Sequence, residues 1–157
     1  MSMSYSEEIA GRINKFLSEE NWKYDFNKED GLFRFGVNIK SKLKSLRCFI
    51  LVREDAYSVY AVSPVNADNN DSSVMAEMAV FICRANYGLR NGNFDFDVKD
   101  GEIRYKIYVD CDGVMPSDSI IRTSIFIPSL MFERYSPGLL DVMFRGAKAE
   151  EAIAQCG

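Results

Sequence analysis

Phe94-Asp95-Phe96-Asp97-Val98-Lys99-Asp100-Gly101-Glu102-Ile103-Arg104-Tyr105-Lys106-Ile107 alternates apolar and charged residues on both sides of Asp100-Gly101. Period-two alternation interrupted by Asp-Gly is the pattern of two antiparallel strands joined by a type I′ turn, each with one wet face. A two-residue turn pairs Val98 with Ile103, Phe96 with Tyr105 and Phe94 with Ile107 on the inner face. On the outer face it sets Lys99 against Glu102, Asp97 against Arg104, and Asp95 against Lys106. Opposite charges across a strand pair contribute only about 0.2–1 kcal/mol each. Together they pin the register and leave that face in water, a poor place for a binding site.

Two more hairpins lie upstream. Trp22, Tyr24 and Phe26 alternate with Lys23, Asp25 and Asn27; Phe33, Phe35, Val37 and Ile39 alternate with Arg34, Gly36 and Asn38. A two-residue turn at Asp30-Gly31 sets Phe26 against Phe35, and a four-residue loop shifts the register by two with the same faces inside. Leu46 to Arg53 and Tyr57 to Val62 form a further pair about Glu54-Asp55. Here Cys48, Ile50, Val52, Val59 and Ala61 occupy one face, and Phe49, Leu51, Tyr60 and Val62 the other. Strands apolar on both faces call for cover on both. The basic connector Lys40, Lys42, Lys44 and Arg47 reads first as a solvated loop, with anion binding as its functional alternative.

Helical spacing appears in three places. Ser4-x-x-Glu7 reads as a capping box before the stripe Tyr5, Ile9, Ile13, Phe16 and Leu17. Val74 to Tyr87, closed by Gly88, is apolar nearly all round at its start, so it is buried on more than one side. After Pro116-Ser117 comes a region that Pro128 should kink or break, with Pro137 opening a further helix and Gly146 ending it. Lys148 to Gln155 is a helix-prone tail. The result is one α+β domain over residues 1–157: an antiparallel sheet of three hairpins with flanking helices, in the order α-ββββ-α-ββ-α(α).

Composition narrows the chemistry. A chain of 157 residues, 47% apolar and 27% charged, can bury roughly 70% of its unfolded surface without staples. There is no histidine, which removes the commonest general base and metal ligand. Cys48, Cys83, Cys111 and Cys156 are widely spaced and read as free thiols. Asp110-Cys111-Asp112-Gly113 resembles part of a calcium loop, but Tyr108 stands where an acid is required. No cofactor, metal or catalytic residue is indicated. A net charge of −4 argues against a nucleic-acid partner. No apolar run suits a signal peptide or a membrane insertion, so the expectation is a cytoplasmic protein.

The run Ala85-Asn86-Tyr87-Gly88-Leu89, then Gly92-Asn93-Phe94-Asp95-Phe96 and Asp100-Gly101-Glu102-Ile103-Arg104-Tyr105, resembles the bacterial YbjN family. Tyr135-Ser136-Pro137-Gly138-Leu139-Leu140 and Glu150-Glu151-Ala152-Ile153 are similar to that family's closing pattern. The resemblance implies the fold of the type III secretion chaperones and a non-enzymatic homodimer that binds or regulates other proteins. The strand Tyr57 to Val62 is extra to the simplest chaperone layout. The candidate interface for a second copy or an unknown protein partner is Phe49, Leu51, Tyr60 and Val62 on the sheet with Val74, Met75, Met78 and Phe81 on the second helix. The alternatives are a sensor of small molecules or anions and an enzyme with an unfamiliar site.

Overall fold

Six strands form one antiparallel sheet in the order β1-β2-β3-β4-β6-β5. The computed structural model describes residues 4–157; residues 1–3, the start of the segment read as lacking a signal peptide, lie outside it. In chain order the elements are α1 (Glu7–Glu19), β1 (Tyr24–Asn27), β2 (Leu32–Asn38), β3 (Ser45–Val52), β4 (Ala56–Val62), α2 (Ser72–Asn86), β5 (Asn93–Phe96), β6 (Ile103–Asp110), α3 (Asp118–Phe144) and α4 (Ala149–Ala154). This is the expected α+β order, drawn into a single continuous sheet.

Alternation divides the sheet into two unlike faces. Phe33, Ile50, Val59 and Ile107 share one cross-strand row, and none is more than 1% exposed. The helices cover this side: Tyr57 Oη meets Ser124 Oγ of α3 at 2.9 Å, the Phe94 and Phe132 rings stand edge to face at 5.3 Å, and Tyr24 Oη donates to Asn14 Oδ1 of α1 at 2.6 Å. Among the described residues, the opposite face carries no helix. Phe49, Leu51 and Tyr60 are only half-buried there, so the expected cover on both faces is present on one.

Both outer hairpins are shifted by two residues from a two-residue turn. Phe26 faces Phe33, and Phe94 faces Tyr105 with Asp95 against Arg104. One device explains both. Asn27 Oδ1 accepts from Glu29 N at 2.9 Å, and Asp97 Oδ1 accepts from Lys99 N at 2.8 Å. Gly31 N then returns to Asn27 O at 3.0 Å and Gly101 N to Asp97 O at 2.8 Å. Each is an Asx turn that closes a four-residue loop ending in a left-handed glycine, at φ +67° and +80°. Of the three expected charge pairs, Asp97 and Lys99 are taken into the loop, and Asp95 bonds Arg104 instead of Lys106. Because the shift is even, every side chain keeps its face. The middle hairpin turns at Glu54-Asp55 as expected, with Arg53 N donating to Ala56 O at 2.8 Å.

The helices bring two corrections. The cap of α1 is Ser6, whose Oγ accepts from Ile9 N at 3.1 Å, in place of Ser4. α3 runs unbroken for 27 residues through both Pro128 and Pro137. Each proline withholds one N–H, from the carbonyls of Ser124 and Glu133. Against that loss, Ile121, Ile125, Phe132, Leu139 and Val142 bury one stripe along the helix, and packing outweighs the missing bonds. Gly138 lets α3 approach α2 and α4 closely: a Cβ there would lie 2.6 Å from the Phe81 ring of α2 and 2.8 Å from Cys156 Sγ.

Candidate functional site

The open sheet face is built from two cross-strand rows. Asp25, Arg34, Phe49, Tyr60, Lys106 and Asn93 form one; Gly36, Arg47, Val62, Arg104 and Asp95 form the next. Leu32 and Leu51 extend it toward the middle-hairpin turn. The strands that carry these residues are straightforward consequences of alternation, since their odd or even partners fill the core.

At the centre, the Phe49 and Tyr60 rings stack at 4.7 Å with 20° between planes. Arg104 lies over the Tyr60 ring at 4.5 Å and bonds Asp95 Oδ2 at 3.1 Å. The aromatic pair is therefore shielded on one flank by a guanidinium already neutralised. Such stacking and cation–π contacts explain why these rings are half-buried with nothing above them.

The other flank differs. A trough of about 770 Å³ runs over Gly36, lined by Trp22, Lys23, Asp25, Arg34, Arg47 and Phe49 among others. Among the described residues, neither Arg34 nor Arg47 is in an ion pair. Trp22 closes one end, its ring edge to face with Phe35 at 5.2 Å. Sequence reasoning placed Arg47 in the basic connector and passed over Arg34 and Gly36. The signal available was a glycine inside a strand, where it neither packs nor helps the ladder.

The named interface residues separate into two groups. Phe49, Leu51 and Tyr60 come together on the open face, and Val62 sits beside them but only 5% exposed. On α2, Val74 and Met75 are half-buried. Met78 and Phe81 are 0% exposed within the chain; they hold α2 to the core and leave the candidate surface. The reason is that α2 turns its Met78, Phe81, Ile82 and Ala85 stripe inward, which an all-round apolar sequence does not reveal. Its outward stripe is Ala76, Val80, Cys83 and Tyr87, with Val80 46% and Tyr87 91% exposed.

The connector Lys40–Lys44 is fixed to α3. Lys40 N donates to Glu133 Oε1 at 3.2 Å and Ser41 Oγ meets Ser136 Oγ at 2.7 Å. Lys44 adopts φ +71°. Between connector and helix lies a cavity of about 730 Å³ lined by Lys40, Lys42, Leu43, Pro137, Leu140 and Phe144 among others. Asp141 and Glu133 share that wall, and Asp141 pairs with Arg145 at 3.6 Å.

The thiols are free, three buried and Cys83 exposed. Burial pushes the Cys48 thiol up to about 12, keeping it protonated. Burial likewise raises Cys111, with Asp110 and Asp55 adding to it. Among the described residues, no cluster of three or more His, Cys, Asp or Glu could hold a metal ion. Nor is any helix among them long and apolar enough to cross a membrane. The chain matches no protein-family model and no curated protein.

Proposed function

We propose that this domain is a non-enzymatic protein-binding module, chaperone-like or regulatory, that acts as a homodimer. The observation that carries the reading is the open face of the sheet, where Phe49, Leu51 and Tyr60 lie half-buried at the centre with no element above them. Apolar surface gathered in one place and rimmed by charge is the usual composition of an interaction site. The resemblance to the YbjN family points the same way. The outward stripe of α2, with Val80 and Tyr87 exposed, supports a second copy meeting the helical layer while the sheet stays free for a partner.

Light scattering on the purified protein tests the dimer: twice 17.9 kDa is expected, and a monomer at micromolar concentration overturns that part. Partner binding is tested on an array of extended peptides with the wild type and Leu51→Asp. Loss of binding by the variant with an unchanged circular dichroism spectrum is expected. Equal binding by the two removes the sheet face from consideration.

A second reading, a sensor of small molecules or anions, is favoured by the cavity between Lys40, Lys42 and α3. A ligand held there raises the melting temperature by mass action. No shift across a panel of nucleotides and phosphorylated metabolites retires it.

A further inference from the structure

Gly36 sits inside β2, opposite Arg47 and two residues from Arg34 on the same face. Its backbone makes no demand for glycine. Gly36 is absent from the positive-φ residues, and a Cβ built there would meet only the Leu46 carbonyl oxygen, at an ordinary 3.8 Å. Gly101 is the contrast: its Cβ would fall 2.0 Å from the Ala67 oxygen, at φ +80°. A strand-interior glycine that the fold does not need weakens the strand and packs nothing. What it does here is lower the floor of the trough, so that another backbone can come close.

The walls say what that backbone should carry. Lys23, Arg34 and Arg47 line the trough with Asp25 as the only acid among its lining residues, in a protein of net charge −4. Asp25 stands across from Arg34 in the β1–β2 register, yet among the described residues neither Arg34 nor Arg47 forms an ion pair, whereas Arg104 across the sheet is paired with Asp95. Guanidinium groups are suited to two-pronged recognition of carboxylates. The trough also runs past the end of a neighbour: β1 stops pairing at Tyr24 against Phe35, while β2 continues to Asn38.

We propose that the trough over Gly36 anchors an extended acidic segment of the partner protein, its backbone against Gly36 and its carboxylates on Arg34 and Arg47. This rests on the open-face reading and adds the chemistry of the partner. A second copy of this chain is a poor occupant, because it would bring Arg34 and Arg47 against cations of its own kind.

The probe is a capped eight-residue peptide of alternating Glu and Val, compared with Gln-Val and Lys-Val versions and with an oligothymidylate of equal length. Titration calorimetry and amide shifts are read on the full chain. The acidic peptide is expected to bind at least tenfold more tightly than the others and to shift the amides of Arg34, Gly36 and Arg47. Gly36→Val should weaken it at least tenfold with an equal or higher melting temperature, and Gly36→Ala should weaken it less. Arg34→Gln with Arg47→Gln should abolish the preference for Glu over Gln.

Wild-type affinity in Gly36→Val, equal binding of the Gln peptide, or tighter binding of the oligothymidylate overturns the inference. If Leu51→Asp abolishes peptide binding while Gly36→Val does not, the open face binds but the trough is not its anchor. If the peptide binds without shifting any amide of the open face, the broader reading falls with it. No binding at millimolar concentration overturns the trough, and the peptide array still decides the face.

Discussion

The side chain of Asn86 exchanges two hydrogen bonds with the backbone of Phe94: Phe94 N donates to Asn86 Oδ1 at 2.7 Å, and Asn86 Nδ2 donates to Phe94 O at 2.9 Å. A carboxamide at the last residue of α2 thus stands in for a neighbouring strand along the outer edge of β5. Unpaired edges are templates for association, and this one is blocked at its most buried residue. Asn86→Asp keeps an acceptor and loses the donor, leaving a carboxylate facing a carbonyl. A loss of about 1–3 kcal/mol is expected, together with faster hydrogen exchange at Phe94. Urea unfolding and exchange measured by NMR check both.

Met78 and Leu51 give opposite responses to a charge. Met78 is fully enclosed, so Met78→Glu buries an unpaired carboxylate and is expected to unfold the chain. Leu51 lies half-buried on the open face, and Leu51→Asp should leave the spectrum native-like. Circular dichroism of the two variants separates core from surface.

Gly101→Ala places a methyl carbon 2.0 Å from the Ala67 oxygen and holds alanine at φ +80°. The conformational part alone costs about 1–2 kcal/mol. The measured loss should exceed that, because the Asn66–Ala67 segment must move, whereas Gly36→Ala should not destabilise. The pair is read from midpoints of urea unfolding.

Alkali should weaken the fold. Burial raises Cys48, Tyr57 and Tyr105 to about 12. Their folded values lie above their unfolded ones, so the stabilisation is complete below pH 9 and is lost as pH rises toward 12. Each group that ionises only on unfolding subtracts about 1.4 kcal/mol per pH unit within that window. Denaturant midpoints at pH 8, 10 and 11 are expected to fall progressively. With no histidine in the chain, the midpoint should be nearly flat between pH 6 and 8.

A thiol reagent under native conditions should modify Cys83 alone, the one exposed cysteine. In denaturant all four should react. Rapid native modification of Cys48 or Cys156 would mean that the helical layer opens far more readily than its burial implies. Mass spectrometry of the labelled chain reads the sites.

Period-two alternation carried most of the sheet. It assigned every strand face correctly because faces survive an even shift. It missed the register about Asp100-Gly101, where the Asx turn of Asp97 closes a longer loop, and about Asp30-Gly31 it left two registers open, of which the four-residue loop is the one formed. Proline chemistry misjudged α3, where the buried stripe from Ile121 to Val142 overrides two lost bonds. Periodicity also could not orient α2, since residues apolar on every side name no inner face. The sheet part of the candidate surface was legible at Phe49, Leu51 and Tyr60 because they sit out of phase with a complete core stripe. Arg34 was not, because a cation on a strand is unremarkable until Gly36 is seen to leave it room, and Arg47 was read with the basic connector although it lies in β3.

The strand order has a consequence for how the chain assembles. β1 to β4 wind up by joining neighbours in sequence, but β4 takes β6 as its next partner, with Val62 alongside Arg104 and Ala56 alongside Asp110. That seam closes over α2, β5 and their connections, so its loop entropy must be met before its contacts reward it. During synthesis the β4 flank of the early meander therefore has no strand to pair with until β6, which ends at Asp110, has been made.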